Sequence, residues 1–131
     1  MGRARPRIAL VDDDAMLVRA LERALRLEGF DVASTTSGSD VSDLLRTFRP
    51  HIALFDVKMP QISGPALVSL ARFTADSDVK TKYILYSGIP LDKLRVLAEE
   101  SGADGYLTKD DDLMSLAEAL TSFLDPRDRP S

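Results

Sequence analysis

Five short apolar runs recur along the chain, and each is followed by a stretch whose apolar residues return at helical spacing. This alternation limits the fold more than any other feature. A run of four or five apolar residues suits a strand buried on both faces, whereas a period near 3.6 suits a helix with one face on a core. The runs are "RIALV", a weaker "FDVAS", "HIALFD", "YILYS" and "GYLTK". Between them, Leu17, Leu21 and Leu25 lead up to Gly29, the expected stop of a first helix. Val41, Leu44, Leu45 and Phe48 precede Pro50 in a second, with Ser37 or Ser39 expected as its cap. Leu67, Val68, Leu70 and Ala71 mark a third, and Leu91, Leu94, Leu97 and Ala98 a fourth. The last runs from about Leu113 to Leu124 on Leu116, Ala117, Leu120 and Phe123.

Repeated strand-then-helix units imply an α/β fold: a five-stranded parallel sheet, doubly wound in the flavodoxin-like manner, because right-handed crossovers place helices on both faces. Such sheets bind ligands beyond the carboxyl ends of their strands. The first apolar run ends in Asp12 and Asp13, the third in Asp56, the fourth in Ser87 and the fifth in Lys109. Five polar groups are thereby brought to one edge. Two carboxylates about 4 Å apart repel by roughly 4 kcal/mol at an effective dielectric of 20, so their crowding asks for compensation. Three carboxylates with waters and a backbone carbonyl form the hard oxygen cage that suits Mg²⁺ beside a phosphate. A hydroxyl and an ammonium next to that cage suit phosphoryl oxygens, and a carboxylate can accept the phosphoryl group itself.

Simpler roles account for neighbouring residues. Adjacent acids such as Asp12 to Asp14 also suit a helix N-terminus. His51, at the start of the third run, reads as a packing or surface residue. The acids after Lys109 read as a helix cap, with Asp111 or Asp112 facing the free amides.

Composition removes whole classes of function. With 17 basic and 21 acidic residues the net charge is −4, which gives no basic footprint for direct nucleic acid binding. No apolar stretch approaches the roughly 20 residues that span a bilayer, so no membrane partner is expected. The absence of cysteine excludes disulfides and thiolate metal sites and suits a cytoplasmic protein. At 131 residues the chain fits one domain. The expected division is an N-terminal tail over 1–5, a domain over 6–124, and a C-terminal tail or linker over 125–131.

Four motifs in order, "VDDD", "LFDVKMPQISG", "YSG" and "GYLTK", resemble those of the receiver (CheY-like) domain of bacterial two-component response regulators, over roughly residues 6–124. The resemblance implies a phosphoacceptor domain that phosphorylates and dephosphorylates itself, not a conventional turnover enzyme. It implies Asp56 as phosphoacceptor, Asp13 as a direct Mg²⁺ ligand, and Asp12 as a ligand mainly through water. The Lys58 carbonyl would complete the metal shell. Ser87 would be the switch hydroxyl and Lys109 the phosphate-contacting ammonium, with Gly88 and Lys58 also at the phosphate. Tyr106 would be the aromatic that follows Ser87. Lys58 and Ile89 occupy positions that tune phosphoryl lifetime in the family. The implied partners are a sensor histidine kinase or phosphotransfer protein, and an output partner at the fourth helix, fifth strand and fifth helix. Homodimerisation on phosphorylation is also among the implied associations.

Two residues depart from the family pattern. Asp110 stands where a proline joined by a cis bond usually follows the lysine, and Lys58, two residues after the acceptor, would overhang the site mouth. Two other readings therefore stay open. One is a pseudo-receiver that keeps the fold as an interaction module without taking phosphate. The other is a phosphatase of the haloacid dehalogenase type with Asp12 as nucleophile, which "DDDAM" suggests but which lacks a cap-sized insertion and a late pair of acids.

Overall fold

The central apolar runs become strands because their side chains have protein on both sides. Ile8, Ala9, Leu10 and Val11 of strand β1 (Arg7–Val11) are buried, as are Ile52, Ala53, Leu54 and Phe55 of β3 (Ile52–Phe55). The computed structural model describes residues 5–74, 80–110 and 112–130. The remaining strands are β2 (Asp31–Thr35), β4 (Lys82–Ser87) and β5 (Gly105–Thr108). The helices are α1 (Ala15–Leu27), α2 (Val41–Phe48), α3 (Gly64–Thr74), α4 (Leu91–Ser101) and α5 (Leu113–Phe123). The sheet is parallel throughout with strand order β2-β1-β3-β4-β5. The expected doubly wound, flavodoxin-like α/β fold is therefore the one observed. Its order reverses between β1 and β3, which is the point where such a sheet opens a crevice for a ligand.

Alternation along the strands divides the interior into two cores. Ile8, Leu10, Ile52, Leu54, Ile84 and Tyr86 meet Leu21 and Leu25 of α1 and Leu116 and Leu120 of α5. Ala9, Val11, Phe55, Tyr83 and Leu85 meet α2, α3 and α4. The edge strand β2 is only partly buried, which is why its sequence signal is weak.

The helix ends follow side-chain chemistry. Asp14 caps α1, its Oδ1 accepting from the Leu17 amide at 3.1 Å. At the other end Gly29 has φ +101°, and the Gly29 and Phe30 amides donate to Arg26 and Leu25 carbonyls, both at 3.1 Å. That closure needs a left-handed residue, so the expected stop at Gly29 has a backbone reason. Asp112 caps α5 through the Ser115 amide at 2.7 Å, while Asp111 lies outside the described residues. The expected serine cap on α2 is corrected. A 3₁₀ turn over Gly38–Asp40 precedes that helix, Asp40 stands at its cap position, and the Ser37 and Ser39 hydroxyls bond each other at 2.8 Å. His51 is half-buried, and its Nδ1 accepts from the Arg7 amide at 2.9 Å, a packing role. Residues 126–128 form a second 3₁₀ turn. Among the described residues no helix is long and apolar enough to cross a membrane.

Candidate functional site

Each site residue takes its direction from the strand it ends. Asp12 continues the parity of Ile8 and Leu10, and Asp56 that of Ile52 and Leu54, so both carboxylates lie towards the α1/α5 side of the crevice. The two strands pair in register, Val11 with Phe55, and the Asp56 amide donates to the Val11 carbonyl at 2.9 Å. This pairing fixes the acids side by side. Carboxylate oxygens of Asp12, Asp13 and Asp56 all lie within 4.8 Å of one another. Asp12 and Asp56 are buried and Asp13 faces solvent.

Lys109 enters from the end of β5. Its Nζ lies 2.7 Å from Asp12 Oδ2 and 3.3 Å from Asp56 Oδ1, bridging the two buried acids. The short contact to Asp12 supplies the counter-charge for its buried Oδ2. Asp12 Oδ1 accepts from the Asp14 amide at 3.0 Å. Burial, then repulsion from Asp12, raises the Asp56 pKa above its ordinary value against the pull of Lys109. Burial opposes charge on Lys109 as well, but the Asp12 and Asp56 carboxylates outweigh it and raise its pKa.

The donor set fits a hard divalent cation. Its three acids offer oxygens only, gathered within reach of one ion, and Asp13 keeps the site open to solvent as suits an ion that retains waters. Asp12, Asp13 and Asp56 are therefore the residues that could hold Mg²⁺.

Ser87 closes β4, is 3 % exposed, and its Oγ accepts from the Ile89 amide at 3.3 Å, while its carbonyl accepts from the Lys109 amide at 2.9 Å. Gly88 is exposed at the mouth. Lys58 is exposed and Ile89 half-buried; with Pro90, Lys93 and Leu97 they line a groove of about 600 Å³ running onto α4. Tyr106 is half-buried against the core on the α2/α3/α4 side, the opposite parity from Lys109. The described residues contain no cis peptide bond, so Lys109–Asp110 is trans, and Lys109 still reaches both acids.

The residue that sequence reasoning passed over is Tyr86, whose ring centroid lies 5.7 Å from Lys109 Nζ. An apolar run hides it among core residues. The available signal was its parity with Leu107 and Lys109, readable only once the β4/β5 register is known.

The family model of the response regulator receiver domain matches residues 8–121. The chain is 35% identical over 123 residues to the transcriptional regulatory protein PrrA of Mycobacterium tuberculosis, covering 94% of this chain and 52% of that protein. It is 38% identical over 109 residues to the DNA-binding response regulator MtrA of the same species, covering 83% and 46%. The chain thus spans about half the length of the curated relatives it matches. A crystal structure of a CheY-like response regulator receiver domain protein from Methanospirillum hungatei superposes with a TM-score of 0.83 at 26% identity, covering 95% of this chain and 97% of that one.

Proposed function

The chain belongs to the response regulator receiver family, and we propose that it is the phosphoacceptor unit of a two-component signalling system, with Asp56 as the acceptor. Receiver domains take phosphoryl groups from histidine kinases and bind Mg²⁺ at an acidic pocket. The observation that carries the reading is the Asp12, Asp13 and Asp56 cluster at the reversal of strand order, with Lys109 bridging its two buried members.

In this reading an Asp56 carboxylate oxygen attacks phosphorus, and the P–N bond to the donor imidazole breaks as the nitrogen takes a proton. Asp13, Asp56, the Lys58 carbonyl and, less directly, Asp12 would hold Mg²⁺, which when bound would neutralise charge on the phosphoryl oxygens. Lys109 and the Ser87 hydroxyl contact the remaining oxygens, with the Gly88 and Lys58 backbone beside them. Ser87 then leaves the Ile89 amide, and Tyr106 moves into the space. Burial of Tyr106 biases the face of α4, β5 and α5 towards an output partner or a second copy of the chain. The receiver unit is assigned to 6–124, and its setting is the cytoplasm.

Incubation with phosphoramidate and Mg²⁺, followed by intact mass, tests this function. A gain of one phosphoryl group supports the receiver. No gain favours a pseudo-receiver that acts as an interaction module, and steady hydrolysis of phosphate esters favours a phosphatase.

Two variants probe the pocket. Asp13→Asn should weaken Mg²⁺ binding at least tenfold, since an ion that dehydrates reluctantly needs its charged ligands, and Asp12→Asn should weaken it less. Equal affinity of Asp13→Asn and the parent in a titration contradicts the ligand set. Lys58 and Ile89 offer no base to a water approaching phosphorus, so both are assigned to slowing dephosphorylation by occlusion. Lys58→Asn should speed decay severalfold with little change in loading; faster loading instead means that Lys58 competes with the metal.

A further inference from the structure

We infer that Tyr86 is a positioning residue for the Lys109 ammonium, its ring face holding that charge over the two buried acids. The inference rests on the reading of Lys109 as the phosphate-contacting group. Three observations support it. First, the register of β4 and β5 pairs Tyr86 with Leu107, which makes Lys109 its diagonal neighbour on the same face. Diagonal pairs in a sheet come within reach when one member is aromatic and the other long. Second, Lys109 Nζ lies 5.7 Å from the Tyr86 ring centroid, inside the range of cation–π attraction. Third, the ring cannot drift. Tyr86 is 5 % exposed and packs in the core that includes Ile84, Leu116 and Leu120, whereas the lysine stem has four rotatable bonds.

Among the described residues beyond Lys109, only backbone contacts follow directly. Asp110 follows through a trans bond, and its amide turns back to Thr108 Oγ1 at 3.2 Å, which fixes the backbone but not the direction of the ammonium. The carboxylates attract that ammonium, yet Asp12 and Asp56 are also the groups a divalent cation takes over. A neutral aromatic face attracts the lysine in either condition and competes with neither ligand. Tyr86 thus keeps Lys109 at the phosphoryl position when its ion pairs are given up. Such attraction is worth about a threefold to tenfold effect at a partly desolvated site.

The test combines nuclear magnetic resonance with loading kinetics. In the unmodified protein without any phosphodonor, the Lys109 ε-methylene protons, assigned by their loss in Lys109→Arg, should be displaced upfield by the Tyr86 ring current. Tyr86→Leu should abolish the displacement and slow phosphoramidate loading about threefold to tenfold, with Mg²⁺ affinity unchanged. Tyr86→Phe should restore both the displacement and the rate. Ordinary lysine shifts in the parent overturn the inference without any variant, as does Tyr86→Phe slowing loading as much as Tyr86→Leu. If the parent takes no phosphoryl group at all, the receiver reading fails, and the proton shifts alone still decide whether Tyr86 holds Lys109.

Discussion

Gly64→Ala is expected to destabilise the domain and displace Asp56 together, although alanine is the better helix former. Gly64 is the first residue of α3, and its amide donates to the Val57 carbonyl at 3.0 Å. A Cβ at this position would lie 2.2 Å from the Asp56 carbonyl oxygen, 2.8 Å from its carbon and 3.1 Å from Val57 Cα. These are backbone atoms and cannot rotate away. Helix propensity alone predicts a gain of roughly 1 kcal/mol. Overpacking against a fixed backbone costs about 1–3 kcal/mol, and the steric term should win because the contact is far below van der Waals distance. Relief requires α3 or the Asp56 backbone to shift, and the shift moves one member of the acid cluster. The expected result is a Tm lower by several degrees and Mg²⁺ affinity lower by at least tenfold. A calorimetric scan and a Mg²⁺ titration of the same sample check it; an unchanged or raised Tm contradicts the close approach.

Asp56→Asn should reduce phosphoryl uptake to nothing measurable, since an amide provides no carboxylate to form the acyl phosphate. The same substitution should stabilise the metal-free protein at neutral pH. Burial and Asp12 raise the Asp56 pKa, so the folded protein holds that proton more tightly than the unfolded chain does. The charged side chain therefore costs stability above the raised pKa. As pH falls through that value towards the ordinary 3.8, the parent gains stability that the asparagine variant does not. The Lys109 pairing with Asp12 at 2.7 Å survives the change, so the ammonium is not stranded. Relief on the order of 1 kcal/mol corresponds to a few degrees in Tm. The gap should shrink in acid, and saturating Mg²⁺ at neutral pH should narrow or reverse it, because the ion stabilises the parent by binding its folded form. A variant less stable than the parent at neutral pH without metal would mean that the Lys109 ion pair outweighs burial.

The parts of the molecule that were legible from sequence are those fixed by local chemistry. β1, β3 and β4 announce themselves because they are buried on both faces, and the acids follow directly on the apolar runs, so the strand ends and the site are read in one step. Asp112, one of the two acids expected at the start of α5, was readable as a cap for the same local reason. The 3₁₀ turn before α2 was not, because Ser37 and Ser39 satisfy each other and leave the helix amides alone. Gly64 looks like punctuation before a helix, and only the fold reveals the backbone pressed against it. Tyr86 required the register of two strands far apart in sequence, which no local pattern contains.

The central claim, that Asp56 accepts the phosphoryl group, is tested most directly by locating the modified residue. After loading with phosphoramidate and Mg²⁺, borohydride reduces an aspartyl phosphate to homoserine, and peptide mass spectrometry then reads the position. Homoserine at position 56 alone, and none in Asp56→Asn, is the predicted result. Homoserine at position 12 or 13, or its absence everywhere after verified exposure to the donor, contradicts the assignment.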